Sequence, residues 1–235
     1  MNSISMLIAA LLPAALLLMY VCNRDAKPEP TKELIKAILW GVAICIPVAL
    51  AEHIIATFLF GAGGGPVSLF GTTIEAFFVA AIPEETAKLF ALWLILRKNP
   101  YFDEHYDGIV YAVCVGLGFA AVENVFYLFG NAENWVGTAI VRALLAVPGH
   151  YAFAVLMGYY YSLYHFVERS AKNAVRILLV PVMAHGVYDA LAMSGQVDPI
   201  IGSIAFIVLI YFCVKMQKEA QRKLINMVER DRQIL

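Results

Sequence analysis

The stretch TIEAFFVAAIPEETAKLFALWLIL, residues 73–96, is long and apolar enough to cross a lipid bilayer, because a spanning helix needs about 20 mostly apolar residues. Near its middle, however, stand Glu84, Glu85 and Lys88. Ionisable side chains inside a membrane span each cost about 2.5–3.5 kcal/mol on insertion scales, and they mark functional positions by default. This stretch therefore predicts a membrane helix that carries chemistry.

The composition of the whole chain also indicates a membrane protein. Its 235 residues are 61% hydrophobic and 15% charged, whereas soluble domains are about 25% charged. The formal net charge of −1 argues against a nucleic-acid partner, which would need a basic surface. The four cysteines form no CxxC pair, so the sequence indicates neither a disulfide framework nor a thiolate zinc site.

Seven apolar runs are long enough to be transmembrane helices, which predicts an all-α, polytopic membrane bundle. They are residues 4–22, 36–60, 73–96, 109–130, 138–164, 175–194 and 199–215. In a model with about seven spans, 15 of the 17 Lys and Arg residues fall on one side of the membrane. By the positive-inside rule that side is cytoplasmic, so the N-terminus is predicted outside and the C-terminus in the cytoplasm.

The two remaining basic residues, Lys88 and Arg142, lie within spans together with several other polar groups. If the spans alternate in direction, these groups lie roughly 10–18 Å below the outer face, at 1.5 Å per residue. They are Glu84 and Glu85 of the third span, Glu123 of the fourth, His150 of the fifth and His185 of the sixth. Four helices thus place three acids and two histidines at compatible depths.

Helix geometry predicts which of these side chains meet. Lys88 can pair with Glu84 or Glu85, at four and three residues. Asp189 stands four residues after His185 and can orient its imidazole. Pro83 and Pro148 each remove a backbone hydrogen bond beside the polar groups and can open the helix there.

This constellation suits activation of a water molecule for hydrolysis. A carboxylate takes a proton from water and returns it to a leaving amine, while histidines hold the water or stabilise the oxyanion. The same groups are also compatible with a proton or ion relay, or with buried pairs that only fix helix packing. Glu52 and His53 are predicted to be structural or to line a cavity, and Glu75 to be solvated at the outer end of its span.

Four motifs in order resemble the PrsW family of intramembrane proteases. They are E-E-x-x-K at Glu84, Glu85 and Lys88; F-x-x-x-E-N at Phe119, Glu123 and Asn124; R…P-x-H at Arg142, Pro148 and His150; and H-x-x-x-D at His185 and Asp189. The resemblance covers residues 75–195. The wider group includes the CAAX-processing prenyl endopeptidases, from which this chain departs at Lys88, where they have Arg one position later, and at Glu123, where they have His.

The resemblance implies a multi-pass protease of a bacterial or archaeal plasma membrane. Its partners would be the lipid bilayer and a membrane-anchored protein substrate, such as an anti-sigma factor that is cut near the outer face. The sequence itself predicts a single transmembrane catalytic domain, residues 1–215, followed by a cytoplasmic amphipathic tail helix, residues 216–235, in which apolar side chains recur at helical spacing.

The resemblance further implies a role for each residue. Glu84 or Glu85 is the base, with Glu84 favoured, and His150 and His185 are catalytic beside them. Supporting roles are expected for Lys88, Glu123, Asn124, Asp189 and Arg142. Arg142 would anchor a substrate backbone or carboxylate, or else extend to the outer interface. The cofactor is either none or one zinc ion, which would be held among Glu85, Glu123, His150 and His185.

Overall fold

A computed structural model describes residues 3–233, and within that range the chain is helical without β-strands. The α-helices are α1 (Ser3–Cys22), α2 (Thr31–Phe60), α3 (Leu69–Ile74), α4 (Ile82–Leu96), α5 (Asp107–Gly130), α6 (Trp135–Val141), α7 (Val147–Ser162), α8 (Ala171–Met193) and α9 (Pro199–Arg232). The predicted all-α, polytopic membrane bundle is confirmed.

Among the described residues, six helical segments are long and apolar enough to cross a membrane, against the seven predicted. The segment that differs is the one quoted first. It is continuous from residue 69 to residue 96 but consists of α3, a π-helical segment (Glu75–Ala81) and α4. The π-helical interruption and the ionisable residues distinguish this segment from the six apolar ones. The orientation of the termini stays a prediction.

Two π-helical segments precede polar residues of the site, and each ends two residues before a proline. The first is Glu75–Ala81, followed by Pro83, and the second is Arg142–Ala146, followed by Pro148. A proline ring collides with the carbonyl group four residues earlier in a regular α-helix, and proline has no N–H to donate. The wider π turn accommodates both problems without breaking the helix, and π turns often occur at functional sites. The predicted local opening at both prolines thus takes this form.

Helix α5 is the centre of the bundle and packs against α1, α2 and α7. Its first half is buried on every side, which explains why it is apolar all round rather than amphipathic. Its contact with α7 is close because both helices present glycine. A Cβ atom on Gly158 would lie 2.3 Å from the carbonyl oxygen of Gly108, and one on Gly108 would lie 2.1 Å from Ser162 Oγ. Small residues of this kind allow membrane helices to approach closely.

The last predicted span and the predicted tail helix are one uninterrupted helix, α9. It is separated from α8 by a short 3₁₀ turn (Ser194–Gln196), and the Asp198 carboxylate caps it by accepting from the N–H groups of Ile200 and Ile201. Within the predicted tail, Ala220, Leu224 and Met227 are fully buried against the bundle. The amphipathic pattern of the tail therefore reflects packing against this same chain. The division into a domain and a tail stays a prediction.

Candidate active site

The two adjacent glutamates stand in the first turn of α4 and are both buried, at 4% exposure for Glu84 and 0% for Glu85. Lys88, one turn further on, lies with its Nζ 2.8 Å from Glu84 Oε2 and 2.8 Å from Glu85 Oε1. The lysine therefore pairs with both acids at once, where either pairing was predicted. Its ammonium also lies 4.4 Å from the centre of the Phe119 ring, a cation–π contact.

His185 of α8 lies between two carboxylates. Its Nδ1 is 2.9 Å from Glu85 Oε1, and its Nε2 is 3.1 Å from Asp189 Oδ2. Asp189 thus occupies the orienting position that its spacing predicted. The ring of Phe153 stacks on the imidazole at 4.7 Å between centroids, with the two planes 17° apart. These contacts on both nitrogens and on one face leave the His185 ring little freedom to rotate.

A second group of side chains forms around Glu123 of α5. His150 Nε2 lies 2.8 Å from Glu123 Oε2, and Arg142 Nη2 donates to the same oxygen at 2.6 Å. Arg142 Nε donates to Asn124 Oδ1 at 2.5 Å, and Asn124 Nδ2 donates to the carbonyl oxygen of Ala10 at 3.0 Å. Arg142 is therefore directed inward to Glu123 and Asn124. Of its two predicted roles, the reach to the outer interface is wrong, and the anchoring of a substrate stays a prediction.

His150 joins the two groups. Its Nδ1 lies 3.2 Å from Lys88 Nζ. Because an ammonium group only donates, Nδ1 must accept, so the proton of a neutral His150 ring is on Nε2 and is donated to Glu123. The site is thus one hydrogen-bonded chain that runs from Asp189 through His185, Glu85, Lys88 and His150 to Glu123. Glu84 and Arg142 bond directly to this chain, and Asn124 is connected to it through Arg142.

A cavity of about 670 Å³ opens beside the chain. Its acidic, basic and histidine side chains are Glu52, Glu75, Glu84, Glu123, Arg142, His150, His185 and Asp189. Glu85 and Lys88 are not part of this lining, although Lys88 bonds to Glu84. The two adjacent acids therefore differ in access, since Glu84 faces the space where a substrate and a water molecule can sit and Glu85 does not.

Two of the lining acids had been given lesser roles. Glu52 lines the cavity, in agreement with one of its two predicted roles, and its Oε1 is buried without a hydrogen-bond partner. Glu75 was predicted to be solvated, but it also lines the cavity and its Oε2 is buried without a partner, so that expectation is wrong. The π turn that begins at Glu75 places it there, and no feature of the sequence pattern specifies such a turn.

Phe153 and Tyr127 are parts of the site that the sequence analysis did not identify. Phe153 packs on His185, and the guanidinium of Arg142 lies 4.0 Å from the centre of the Tyr127 ring. The sequence feature that could have identified them is helical spacing. Phe153 follows His150 by three residues, and Tyr127 follows Glu123 by four. In a chain this rich in aromatic residues, that spacing has little specificity.

The donor atoms are of the types that bind zinc. One atom each from Glu84, Glu85 and His150 lie within 4.8 Å of one another, and Glu85 Oε2 is buried without a partner. Carboxylate oxygens and imidazole nitrogens are ordinary zinc ligands, so these residues fit the ion. Two of them, Glu85 and His150, belong to the predicted ligand set. The ammonium of Lys88 contacts all three residues, so a metal ion bound by the three would have to displace it.

Comparison with known proteins agrees with this geometry. A sequence model described as "PrsW family intramembrane metalloprotease" matches residues 29–216, which include every site residue above. The chain is 35% identical to "Protease PrsW" of Geobacillus kaustophilus over 194 residues, which is 82% of this chain and 81% of that protein. It is 32% identical to "Protease PrsW" of Bacillus subtilis over 226 residues, 94% of this chain and 97% of that protein. No solved structure matches the chain.

Proposed function

This chain belongs to the PrsW family of intramembrane proteases, and from that premise we propose that it hydrolyses a peptide bond of a membrane-anchored protein with Glu84 as the general base. The observation that carries the proposal is the unequal placement of two adjacent acids. Glu84 lines the cavity, while Glu85 is fully buried and is not part of its lining. The family membership also makes the protein a membrane-embedded protease of a bacterial plasma membrane.

The proposed reaction begins with a water molecule beside Glu84. The carboxylate takes one proton from the water, and the water oxygen attacks the carbonyl carbon of the scissile bond. The carbonyl oxygen then carries the negative charge of the tetrahedral intermediate. When the C–N bond breaks, Glu84 returns the proton to the leaving nitrogen, so that the products are a carboxylic acid and an amine.

Lys88 supports the basic role of Glu84 by placing a positive charge beside its carboxylate. An ammonium that contacted this carboxylate alone would also make it a weaker proton acceptor. Here the ammonium is shared between the carboxylates of Glu84 and Glu85 and also contacts the His150 ring. Glu85 in turn receives a second partner in His185. This sharing weakens the hold of the ammonium on Glu84, so that the carboxylate can accept a proton.

The residues available to stabilise the oxyanion are the cavity-lining donors. His150, His185 and Arg142 all line the cavity. Both ring nitrogens of each histidine already have a partner, so an imidazole would exchange one of these partners for the oxyanion. Arg142 has further N–H groups beyond those that bond to Glu123 and Asn124. Donors fixed in advance at the place where charge develops lower the barrier without reorganising. The contacts of His185 with Glu85, Asp189 and Phe153 fix its ring in this way.

A bound zinc ion is the second form of the same proposal. The residues that would hold it come from Glu84, Glu85, Glu123, His150 and His185. When bound, such an ion lowers the pKa of a coordinated water to about 7 and polarises the carbonyl group. Lys88 would then have to leave its place between the acids, which makes that residue a useful reporter of metal binding.

The substrate is proposed to be a single-span protein, such as an anti-sigma factor, cut near the outer face. The placement rests on the predicted orientation of the bundle, in which the polar layer lies in the outer half of the bilayer. The cavity volume of about 670 Å³ supports a peptide substrate, since it lies within the range of ordinary ligand pockets.

A proton relay, the alternative left open by the sequence, fits the geometry less well. A relay must connect two sides of the membrane. The chain of hydrogen bonds begins at Asp189 and ends at Glu123, and both residues line the same cavity. A proton that travelled along it would return to the space it came from.

The test uses purified wild type, Glu84→Gln and the exposed-site control Glu133→Gln, each mixed with single-span peptides. Bound zinc is measured in the same samples, with and without a chelator. We expect cleavage by wild type and control, and none by Glu84→Gln. Loss of cleavage with chelator, together with one zinc per chain, supports the metal form. Full activity of Glu84→Gln overturns the proposed role of that residue.

A further inference from the structure

We propose that the carboxylates of Asp25, Glu104 and Asp107 form a binding site for a hard divalent cation, Ca²⁺ or Mg²⁺, separate from the protease site. The cluster lies where α5 begins, about 24 Å along that helix from Glu123 at 1.5 Å per residue. The charge bias predicts that this end of the bundle faces the cytoplasm. The proposal does not depend on the proposed catalytic roles.

The three residues come from separate parts of the chain and converge. Asp25 belongs to the connection between α1 and α2, Glu104 to the loop before α5, and Asp107 to the first turn of α5. One carboxylate oxygen from each lies within 4.8 Å of the other two. Like charges do not gather this closely without compensation, because each repels the others and each loses solvation on burial.

Two oxygens of the cluster are buried without a hydrogen-bond partner, Glu104 Oε2 and Asp107 Oδ1. Glu104 is 8% exposed and Asp107 is 1% exposed. A buried, unpaired carboxylate oxygen is costly, and buried charges are normally paired or bound to a metal ion. The nearby Lys27 and His105 are engaged elsewhere, since Lys27 pairs with Asp103 and His105 with Asp231.

The other oxygen of the Asp107 carboxylate already accepts two hydrogen bonds. Its Oδ2 accepts from the N–H of Glu104 at 2.7 Å and from the N–H of Asp103 at 3.0 Å. These two bonds orient the side chain. Oδ1 accepts no hydrogen bond from the described residues and could bind an ion, although the Glu29 carboxyl group also interacts with this side chain. Carboxylate oxygens suit hard cations such as Ca²⁺, Mg²⁺ and Mn²⁺, and water would complete the coordination.

A cation here would brace three parts of the bundle. The loop that carries Glu104 also donates its N–H groups at His105 and Tyr106 to the Asp231 carboxylate, at 2.9 Å and 2.8 Å. Asp231 lies near the end of α9. The ion would therefore stabilise the α1–α2 connection and this loop, and through the loop the attachment of α9.

The competing explanation is that protons, rather than a metal ion, neutralise the cluster. Burial raises the pKa of the neighbouring Glu29 to about 7, and Tyr111 donates to that carboxylate. Glu29 can therefore hold a proton near neutral pH. The two explanations differ in their response to added cation at constant pH.

The test measures thermal unfolding of the full chain in detergent, after chelator treatment, with millimolar MgCl₂ or CaCl₂ and matched ionic strength. The variants are Glu104→Gln and Asp107→Asn. The control is Glu168→Gln, an exposed acid at the same end of the bundle. We expect a rise in Tm of about 2–4 °C for wild type and control when the ion exceeds its Kd roughly tenfold.

Glu104→Gln and Asp107→Asn should lose this response and should melt no earlier than wild type without cation, because each removes one repelling charge. Glu84→Gln should keep the response, which assigns it to this cluster rather than to the protease site. No rise in wild type with either ion, or an equal rise in Asp107→Asn, overturns the proposal. A Tm that rises only on acidification shows that protons neutralise the cluster and also overturns it.

Discussion

Glu84 Oε2 and Lys88 Nζ lie 2.8 Å apart, so the acid that faces the cavity is held by a cation that does not face it. The same ammonium contacts Glu85 and His150. The contact between Lys88 and His150 thus joins the two groups of site residues. A membrane span tolerates these charges because they neutralise one another locally, and the ammonium is the centre of that arrangement.

Replacing this cation should destabilise the fold as well as stop cleavage. Lys88→Met keeps the length of the side chain but leaves two buried carboxylates without their shared partner. Removal of one member of a buried ion pair costs about 3–5 kcal/mol. We expect lower accumulation, a lower Tm and no cleavage, measured in detergent against the exposed control Lys98→Met. A Lys88→Met variant with wild-type Tm would show that the carboxylates do not depend on the ammonium.

Glu84→Gln and Glu85→Gln should separate activity from stability. Glu85 is fully buried and contacts both Lys88 and His185, so its neutralisation should lower the free energy of unfolding by about 1–3 kcal/mol. Glu84 borders the cavity, where water can compensate, so Glu84→Gln should lose cleavage with a smaller change in Tm. Thermal melts and cleavage assays on both variants check this. The reverse order of Tm values would contradict the assigned placement.

Asp189 should act on the rate through His185. Its carboxylate lies 3.1 Å from His185 Nε2 and borders the same cavity. Asp189→Asn removes the charge while keeping the shape, and we expect kcat to fall about 10–100-fold with little change in KM. Asp189→Glu should recover part of the rate. An Asp189→Asn variant that raises KM alone would instead place Asp189 in substrate binding.

The link between Arg142 and Glu123 can be measured as a coupling energy. Arg142→Met and Glu123→Gln should each reduce cleavage and stability, and the double variant should cost less than the sum of the two. Residues in one buried network typically show couplings of about 0.5–3 kcal/mol in a double-mutant cycle. The measurement is Tm and chemical unfolding for all four proteins. Additive losses would mean that the 2.6 Å contact contributes no net stability.

The close contact of α5 with α7 should tolerate no side chain. Gly158→Ala places a Cβ atom 2.3 Å from the Gly108 carbonyl oxygen, which forces the helices apart. Overpacking of this kind costs about 1–3 kcal/mol. Gly130→Ala is the matched control, because nothing lies within 4 Å of its Cβ position. Both are measured by thermal unfolding, and equal Tm values for the two variants would refute the close contact.

Most of the fold follows from the sequence because length and hydropathy suffice to mark a membrane helix. The runs 4–22, 109–130 and 175–194 lie on helices whose observed ends are only a few residues away. The predicted boundary at residue 215 has no counterpart in the helix, because α9 continues to Arg232 with a buried face. Hydropathy falls there as charges appear, but helix formation depends on packing, which a hydropathy profile does not measure.

The pairings within the site were predictable only where they are local. Helix periodicity predicts that Lys88 pairs with Glu84 or Glu85 and that Asp189 pairs with His185. The contacts of Arg142 with Glu123 and of His150 with Lys88 join different helices, and their geometry depends on rotations that no residue spacing encodes. The two π turns are a further example, since each shifts the register of its helix by part of a turn.

The distribution of the site over several helices has a consequence for biosynthesis. Glu84 lies in the first half of the chain and Glu123 near its middle, but His185 lies on α8, which is synthesised late. If cleavage needs His185, as proposed above, a ribosome must complete most of the protein before a hydrolytic centre exists. A nascent chain inserted up to α7 holds buried acids without their last partner, and we expect it to be inactive. Such late completion would keep an unfinished enzyme from cutting its neighbours in the membrane.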